Sequence, residues 1–213
     1  MSQVLVIGAH GKVALLAEEL LVQAGHQVTG MIRKPEQADD VRATGAEPVV
    51  ADIVSIEDDA LATLLAEHDV VVWSAGAGGG SAERTYAIDR DAAIRTIDAA
   101  QAAGGTHVVM VSYFGAGPDH GVSPDHDFFA YADAKSAADA HLQASSTPWT
   151  LLRPSSLTDG PATGVATSDT ESREVSRATV AQVVATVVDA GEAAVGRVIT
   201  FNGGDQDVAT VVS

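Results

Sequence analysis

The chain has 213 residues, enough for one domain with a substantial apolar core, and no cysteine, which removes disulfides, thiolate catalysis and cysteine-ligated metal. Twelve Lys and Arg stand against 29 Asp and Glu, a formal net charge of −17 that disfavours nucleic acid and anionic lipid as partners. The first residues carry no basic cluster of the signal-peptide kind and no later apolar run is long enough to cross a bilayer, so the expectation is a cytoplasmic protein without membrane contact, a monomer or homodimer acting on a small molecule.

Apolar runs and helical patterns alternate from end to end. Strands are predicted at 4–7, 27–32, 48–51, 70–73, 107–112, 149–153 and 197–201, and helices at 12–24, 35–44, 56–67, 83–103, 128–144 and 179–190. Most of the strand runs are continuously apolar, as in parallel strands covered on both faces. Gly25, Gly45 and the pair Gly104 and Gly105 recur at helix exits, where glycine accepts the left-handed closing conformation. Strict alternation predicts an α/β fold, a doubly wound and mostly parallel sheet, in a single domain spanning 1–213. The least regular stretches lie at 115–127 and 158–172, and long loops in compact domains are often functional.

The first strand runs into "GAHGKVA", in which Gly8, Gly11 and Ala14 occupy the small positions of a G-x-x-G-x-x-A turn. Gly8 permits the sharp turn, Gly11 close approach of the backbone to a diphosphate, and Ala14 close packing of the helix on the sheet. The helix from Lys12 and Val13 aims free N–H groups and a positive dipole end at such an anion. His10 and Lys12 stand beside it, either as phosphate neighbours or as solvated loop residues. The second strand ends in "MIRK", placing Arg33 and Lys34 where a ribose is read; two cations there favour the 2′-phosphate of NADP(H) over NAD. "VVADI" offers Asp52 and Ile53 to the adenine, and "WSAGAGGG" offers Ser74, Ala75, Gly76, Ala77 and Gly78 to ribose and diphosphate.

In "YADAK" Tyr131 and Lys135 are four apart and share one helix face. A nearby ammonium favours the phenolate, so the Tyr131 pKa is expected to fall and the phenol to exchange protons. Ser112, ending "VVMVS", is a candidate to hold a carbonyl oxygen beside it. His120, His126, Asp119, Asp125 and Asp127 have the chemistry of metal ligands but no organising spacing, and read instead as a flap over the substrate; no metal site is expected.

Through "GAHGKVA", "MIRK", "ADI", "WSAGAGGG", "VMVS", "YADAK" and "LLRPSSL" the chain resembles the atypical short-chain dehydrogenase/reductase superfamily, in the small NAD(P)H-binding branch of NmrA-like and biliverdin/flavin-reductase-like proteins. The resemblance implies an NAD(P)-binding Rossmann fold. It casts Tyr131 as general acid or base, Ser112 as the group orienting the substrate oxygen, and Lys135 as the residue that binds nicotinamide ribose and tunes the tyrosine. It also places Pro154, Ser155, Ser156 and Leu157 beside the nicotinamide, with substrate-pocket elements at about 115–130 and 154–178. The implied activity is NADP(H)-dependent hydride transfer to or from a small carbonyl, quinone or flavin-like substrate. The alternatives are an NmrA-like redox sensor without turnover and an NAD-dependent epimerase or dehydratase.

Overall fold

In the computed structural model, which describes residues 1–167 and 171–212, seven parallel strands carry the molecule: β1 (Gln3–Ile7), β2 (Gln27–Ile32), β3 (Glu47–Val50), β4 (Val70–Trp73), β5 (His107–Val111), β6 (Trp149–Pro154) and β10 (Arg197–Gly204). Between β6 and β10 lie β7 (Ser156–Thr158), β8 (Gly164–Thr167) and β9 (Glu174–Ser176). The main sheet has the order β3-β2-β1-β4-β5-β6-β10-β8, parallel throughout except for the antiparallel edge pair of β8 on β10. The order reverses between β1 and β4, whose register pairs Ile7 with Trp73. A crevice therefore opens beyond their carboxyl ends.

Alternation along the buried strands feeds two cores. Val4 and Val6 point to the side covered by α1 (Lys12–Gln23), α2 (Ala38–Ala43) and α7 (Arg177–Ala190), where Leu21, Val41 and Val184 are fully buried. Leu5 and Ile7 point to the side of α3 (Asp58–Ala66), α5 (Ala93–Ala103) and α6 (Phe129–Ala144), packed with Leu61, Ile97 and Leu142. Both faces are thus apolar, which is why the strand sequences read as unbroken hydrophobic runs.

All seven expected strands and all six helices are present, with three differences. The helix expected at 83–103 is α4 (Ala82–Thr85), a π-helical segment Tyr86–Ala92 and then α5. The wider turn brings Asp89 inward to full burial. The helix expected at 35–44 opens with a 3-10 turn, Pro35–Gln37. The stretch expected as loop at 158–172 supplies β8, because Gly204 lets its strand approach closely: a Cβ there would stand 2.7 Å from the Val165 backbone. Residues 168–170 of that stretch lie outside the described residues. Among the described residues no helix is long and apolar enough to cross a membrane.

Candidate functional site

The turn after β1 admits only glycine at its first position. Gly8 has φ +86°, and a Cβ on it would lie 2.6 Å from Ala75 Cα, so the β1 and β4 exits are in backbone contact there. The Gly11 N–H donates to the Gly8 carbonyl at 2.9 Å, closing the turn, and Gly11 is the N-cap of α1. With no capping side chain and no acid in the first turn, α1 presents its amino end to the crevice, with Val13 and Ala14 buried behind it. Gly11 has φ −68°, so its smallness serves close approach rather than a left-handed backbone.

A cleft of about 240 Å³ runs from this turn along the strand ends. Gly8, His10 and Gly11 form one end, Arg33 the β2 wall, Asp52 and Ile53 the β3 wall, and Ser74, Ala75 and Gly76 the floor. His10 contributes while its ring bonds the Asp40 carboxylate at 2.7 Å. Asp52 accepts the Val54 N–H at 3.0 Å, and Arg95 donates to the Ile53 carbonyl at 2.6 Å, so the β3 wall is pinned from both sides.

Arg84 of α4 also lines this cleft, a residue missed in the sequence because nothing in "AERT" shows where its side chain aims. Neither Arg33 nor Arg84 has a carboxylate within ion-pair distance among the described residues. The other cations near the turn are engaged: Lys34 faces Glu36 at 3.8 Å, and Lys12 and Arg177 share Asp159 at 3.1 and 2.8 Å. Lys12 and Lys34 therefore stand outside the cleft lining. A glycine that a Cβ would jam, a bare helix end and two unmatched guanidinium groups suit an elongated polyanion such as a dinucleotide.

Ala77 and Gly78 belong to a second hollow of about 310 Å³, formed with Gly79, Gly80, Thr85, Asp127, Phe128 and Tyr131. The loop that floors the first cleft at Gly76 thus walls the second from Ala77. Tyr131 sits within an aromatic cluster, 5.5 Å from the Tyr113 ring and 5.1 Å from that of Phe128. Among the described residues, Asp127 is the only charged one lining this hollow.

Beneath the hollow lies a buried polar network. Lys135 is fully buried, donates to the Val111 carbonyl at 2.9 Å and stands 3.8 Å from Asp89. Asp139 accepts the Ser112 hydroxyl at 2.9 Å and the Arg153 guanidinium at 2.9 Å. Asp89 accepts the Ala77 N–H at 3.0 Å. Burial pushes the Asp89 and Asp139 carboxyls up and the Lys135 ammonium down; Lys135 opposes the first, Arg153 and Lys135 the second, and the two carboxylates the third.

Two expectations are corrected. The Tyr131 phenol is pushed up rather than down: burial is the largest cause, and Asp89, Tyr113 and Asp139 add to it. Ser112 is buried and donates its hydroxyl hydrogen bond to Asp139, so it stands within the network rather than open to the hollow. Pro154 ends β6 and Ser155 is buried, while Ser156 and Leu157 are exposed on β7; none of the four lines either cavity. Asp89, Asp139 and Arg153 were missed, since lone acids and bases in apolar helices or strands give no local pattern. Among the described residues no group of three His, Asp or Glu gathers as a metal centre requires.

A family model described as NAD(P)H-binding matches residues 8–190. The chain belongs to this NAD(P)H-binding family. It is 32% identical over 191 residues to the "Uncharacterized sugar epimerase YhfK" of Bacillus subtilis, covering 88% of each chain. A solved structure from Bacillus halodurans, whose name assigns it provisionally to the NAD-dependent epimerases/dehydratases, matches with TM-score 0.90 and 35% identity over 100% of this chain and 99% of that one. The anaerobillin reductase ChuY of Escherichia coli O157:H7 shares the fold, at TM-score 0.76 and 23% identity over 96% of this chain and 98% of that one. The two of these above 30% identity carry epimerase or epimerase/dehydratase names, and the likeness to ChuY is one of fold. In open α/β sheets ligands bind beyond the carboxyl ends of the strands at the point where the strand order reverses, and the glycine turn and the amino end of α1 lie on that side.

Proposed function

We propose that this protein is an NADPH-dependent reductase of a small carbonyl, quinone or flavin-like acceptor that carries no phosphate. One observation carries the reading: the cleft suited to a dinucleotide and the hollow holding Tyr131 adjoin across a single loop, Gly76 lining the first and Ala77 the second. When bound, NADPH supplies the hydride.

The chain's own residues supply the rest. Gly8 and the amino end of α1 receive the diphosphate, while Arg33 and Arg84 favour the additional phosphate of NADPH over NADH. Burial keeps Tyr131 in the protonated form, the state from which a phenol donates to an oxygen that gains charge as hydride arrives, whereas alcohol oxidation starts from the phenolate. An epimerase or dehydratase begins with such an oxidation, and a nucleotide-sugar substrate brings a diphosphate. The only charged side chain lining the second hollow, among those described, is Asp127, so both facts favour reduction of an uncharged or cationic acceptor. The relative named as an uncharacterised sugar epimerase and the reductase ChuY mark the two sides of this choice.

A second reading, a dinucleotide-binding redox sensor, draws on Ser112, whose proton is engaged by Asp139 and leaves Tyr131 alone to meet a substrate oxygen. The experiment is a panel of aromatic aldehydes, quinones and free flavins, followed by loss of NADPH absorbance, with wild type and Tyr131→Phe. Turnover that falls about 100-fold or more in the variant supports the reductase. Tight NADPH binding with no acceptor consumed supports the sensor.

A further inference from the structure

Asp89 is a charged residue that the reading above leaves unused. It is fully buried, on the π-helical segment between α4 and α5, and its two oxygens face different elements. Oδ2 accepts the Ala77 N–H at 3.0 Å; Oδ1 has no hydrogen-bond partner among the described residues and stands 3.8 Å from Lys135 Nζ. A Cβ on Gly76 would lie 3.2 Å from the same Oδ1, so this carboxylate sits directly against the loop where the two cavities meet. Lys135, at full burial, donates to the Val111 carbonyl and has Asp89 as its closest acid; Asp139 lies farther along α6, where Arg153 and Ser112 already bond it. Tyr131 faces the region from α6. Arg90, next to Asp89 on its own helix, turns away to Asp91 and stands over the Tyr86 ring.

Fully burying a carboxylate is costly unless it is paired and bonded, and a lone oxygen held 3.8 Å from an ammonium is a poor structural brace. A purely structural need at this place would be met by an amide, which bonds the Ala77 N–H equally well. The hydrogen bond alone therefore does not account for the charge.

We propose that Asp89 is a positioning residue that couples the two cavities: it fixes the Gly76–Ala77 backbone with one oxygen and keeps the Lys135 ammonium charged and in place with the other. The proposal rests on the reductase reading for its effect on turnover, but not for its effect on binding. Without this carboxylate Lys135 is a buried cation that keeps only the more distant Asp139 as counter-charge, and it gives up its proton at lower pH. Without any acceptor at the position, the loop loses its anchor from below.

Two variants separate the action of the charge from that of the loop anchor. Asp89→Asn keeps an acceptor for the Ala77 N–H and removes the charge; Asp89→Ala removes both. NADPH affinity, read by fluorescence titration on folded protein, is expected to stay within about threefold of wild type in Asn and to weaken about tenfold or more in Ala, as for loss of an ordered loop contact. In turnover, Asp89→Asn is expected to lower kcat about tenfold or more with little change in KM, and to move the alkaline limb of the kcat profile down by about one pH unit or more. An Asn variant with wild-type kcat and an unmoved alkaline limb overturns the role of the charge. An Ala variant that binds NADPH like wild type overturns the role of the loop anchor. If wild type consumes no acceptor the reductase reading fails, and the role of the charge is then decided by the alkaline midpoint of NADPH binding in wild type and Asn, where equal midpoints overturn it.

Discussion

Glu18 lies on α1 with its side chain fully buried against β2 and the end of α2. Its Oε2 accepts the Thr44 hydroxyl at 3.2 Å, Oε1 has no partner among the described residues, and a Cβ on Gly30 would come within 3.3 Å of Oε1, so the carboxyl lies close against the β2 backbone. Burial pushes its pKa from 4.5 up to about 8, with the Thr44 bond opposing. The native state therefore keeps a proton that the unfolded chain has already lost, and stability falls as pH rises from about 4.5 to about 8, then levels. At about 1.4 kcal/mol per pH unit the loss over that interval reaches about 5 kcal/mol, a large share of the stability of a domain this size. Glu18→Gln retains the bond from Thr44 and cannot ionise. Urea unfolding at pH 5 and pH 9 is the assay: the variant is expected to match wild type at pH 5 and to exceed it by about 3 to 5 kcal/mol at pH 9. Equal losses between the two pH values in both proteins would refute the assignment of a neutral buried carboxyl.

Other outcomes follow from the same geometry. His107 is buried, bonds the Thr150 hydroxyl at 2.9 Å, and burial lowers its pKa to about 4; its contribution is present above pH 6.5 and is lost as pH falls toward 4, so His107→Gln is expected to flatten the acid side of the stability profile by about 2 to 3 kcal/mol in the same urea assay. Gly8→Ala forces both the left-handed backbone and the contact with Ala75, and is expected to cost about 3 kcal/mol or more in unfolding free energy and to abolish dinucleotide binding by titration. Arg33→Ala and Arg84→Ala are each expected to weaken NADPH about tenfold while changing NADH less than about twofold; equal losses for both coenzymes would remove these side chains from the reading of the 2′-phosphate.

Much of the fold is legible in the chain because it is written in contiguous segments. Val4–Ile7 and Val70–Trp73 are solid apolar runs, Gly25 and Gly45 mark helix exits, and alternation of strand and helix leaves few topologies. The gathering of Gly8, Arg33, Asp52 and Ser74 around one cleft was legible for the same reason, since each follows a strand by a residue or two and the sheet gathers strand ends automatically. What escaped is long-range. The π-helical segment keeps helical periodicity in sequence, so Asp89 reads as one more surface acid among many, yet the extra residue in its turn buries it against Lys135. Tyr131 and Lys135 do share a helix, but the sign of the phenol's shift is set first by burial and then by Asp89 and Tyr113, which come from elsewhere in the fold, with Asp139 of the same helix adding to it. Strand β8 has too short a run and too much glycine around it to be distinguished from a loop, and exists through its partner β10.

On the function proposed above, the glycine turn, the α1 terminus and the two open guanidinium groups together grip a phosphorylated pyridine dinucleotide. Calorimetric titration of folded protein with NADPH and with NADH is the deciding measurement. One site per chain, with NADPH bound about tenfold or more tighter than NADH, is the expected result; no heat with either, or equal affinity for both, would contradict it.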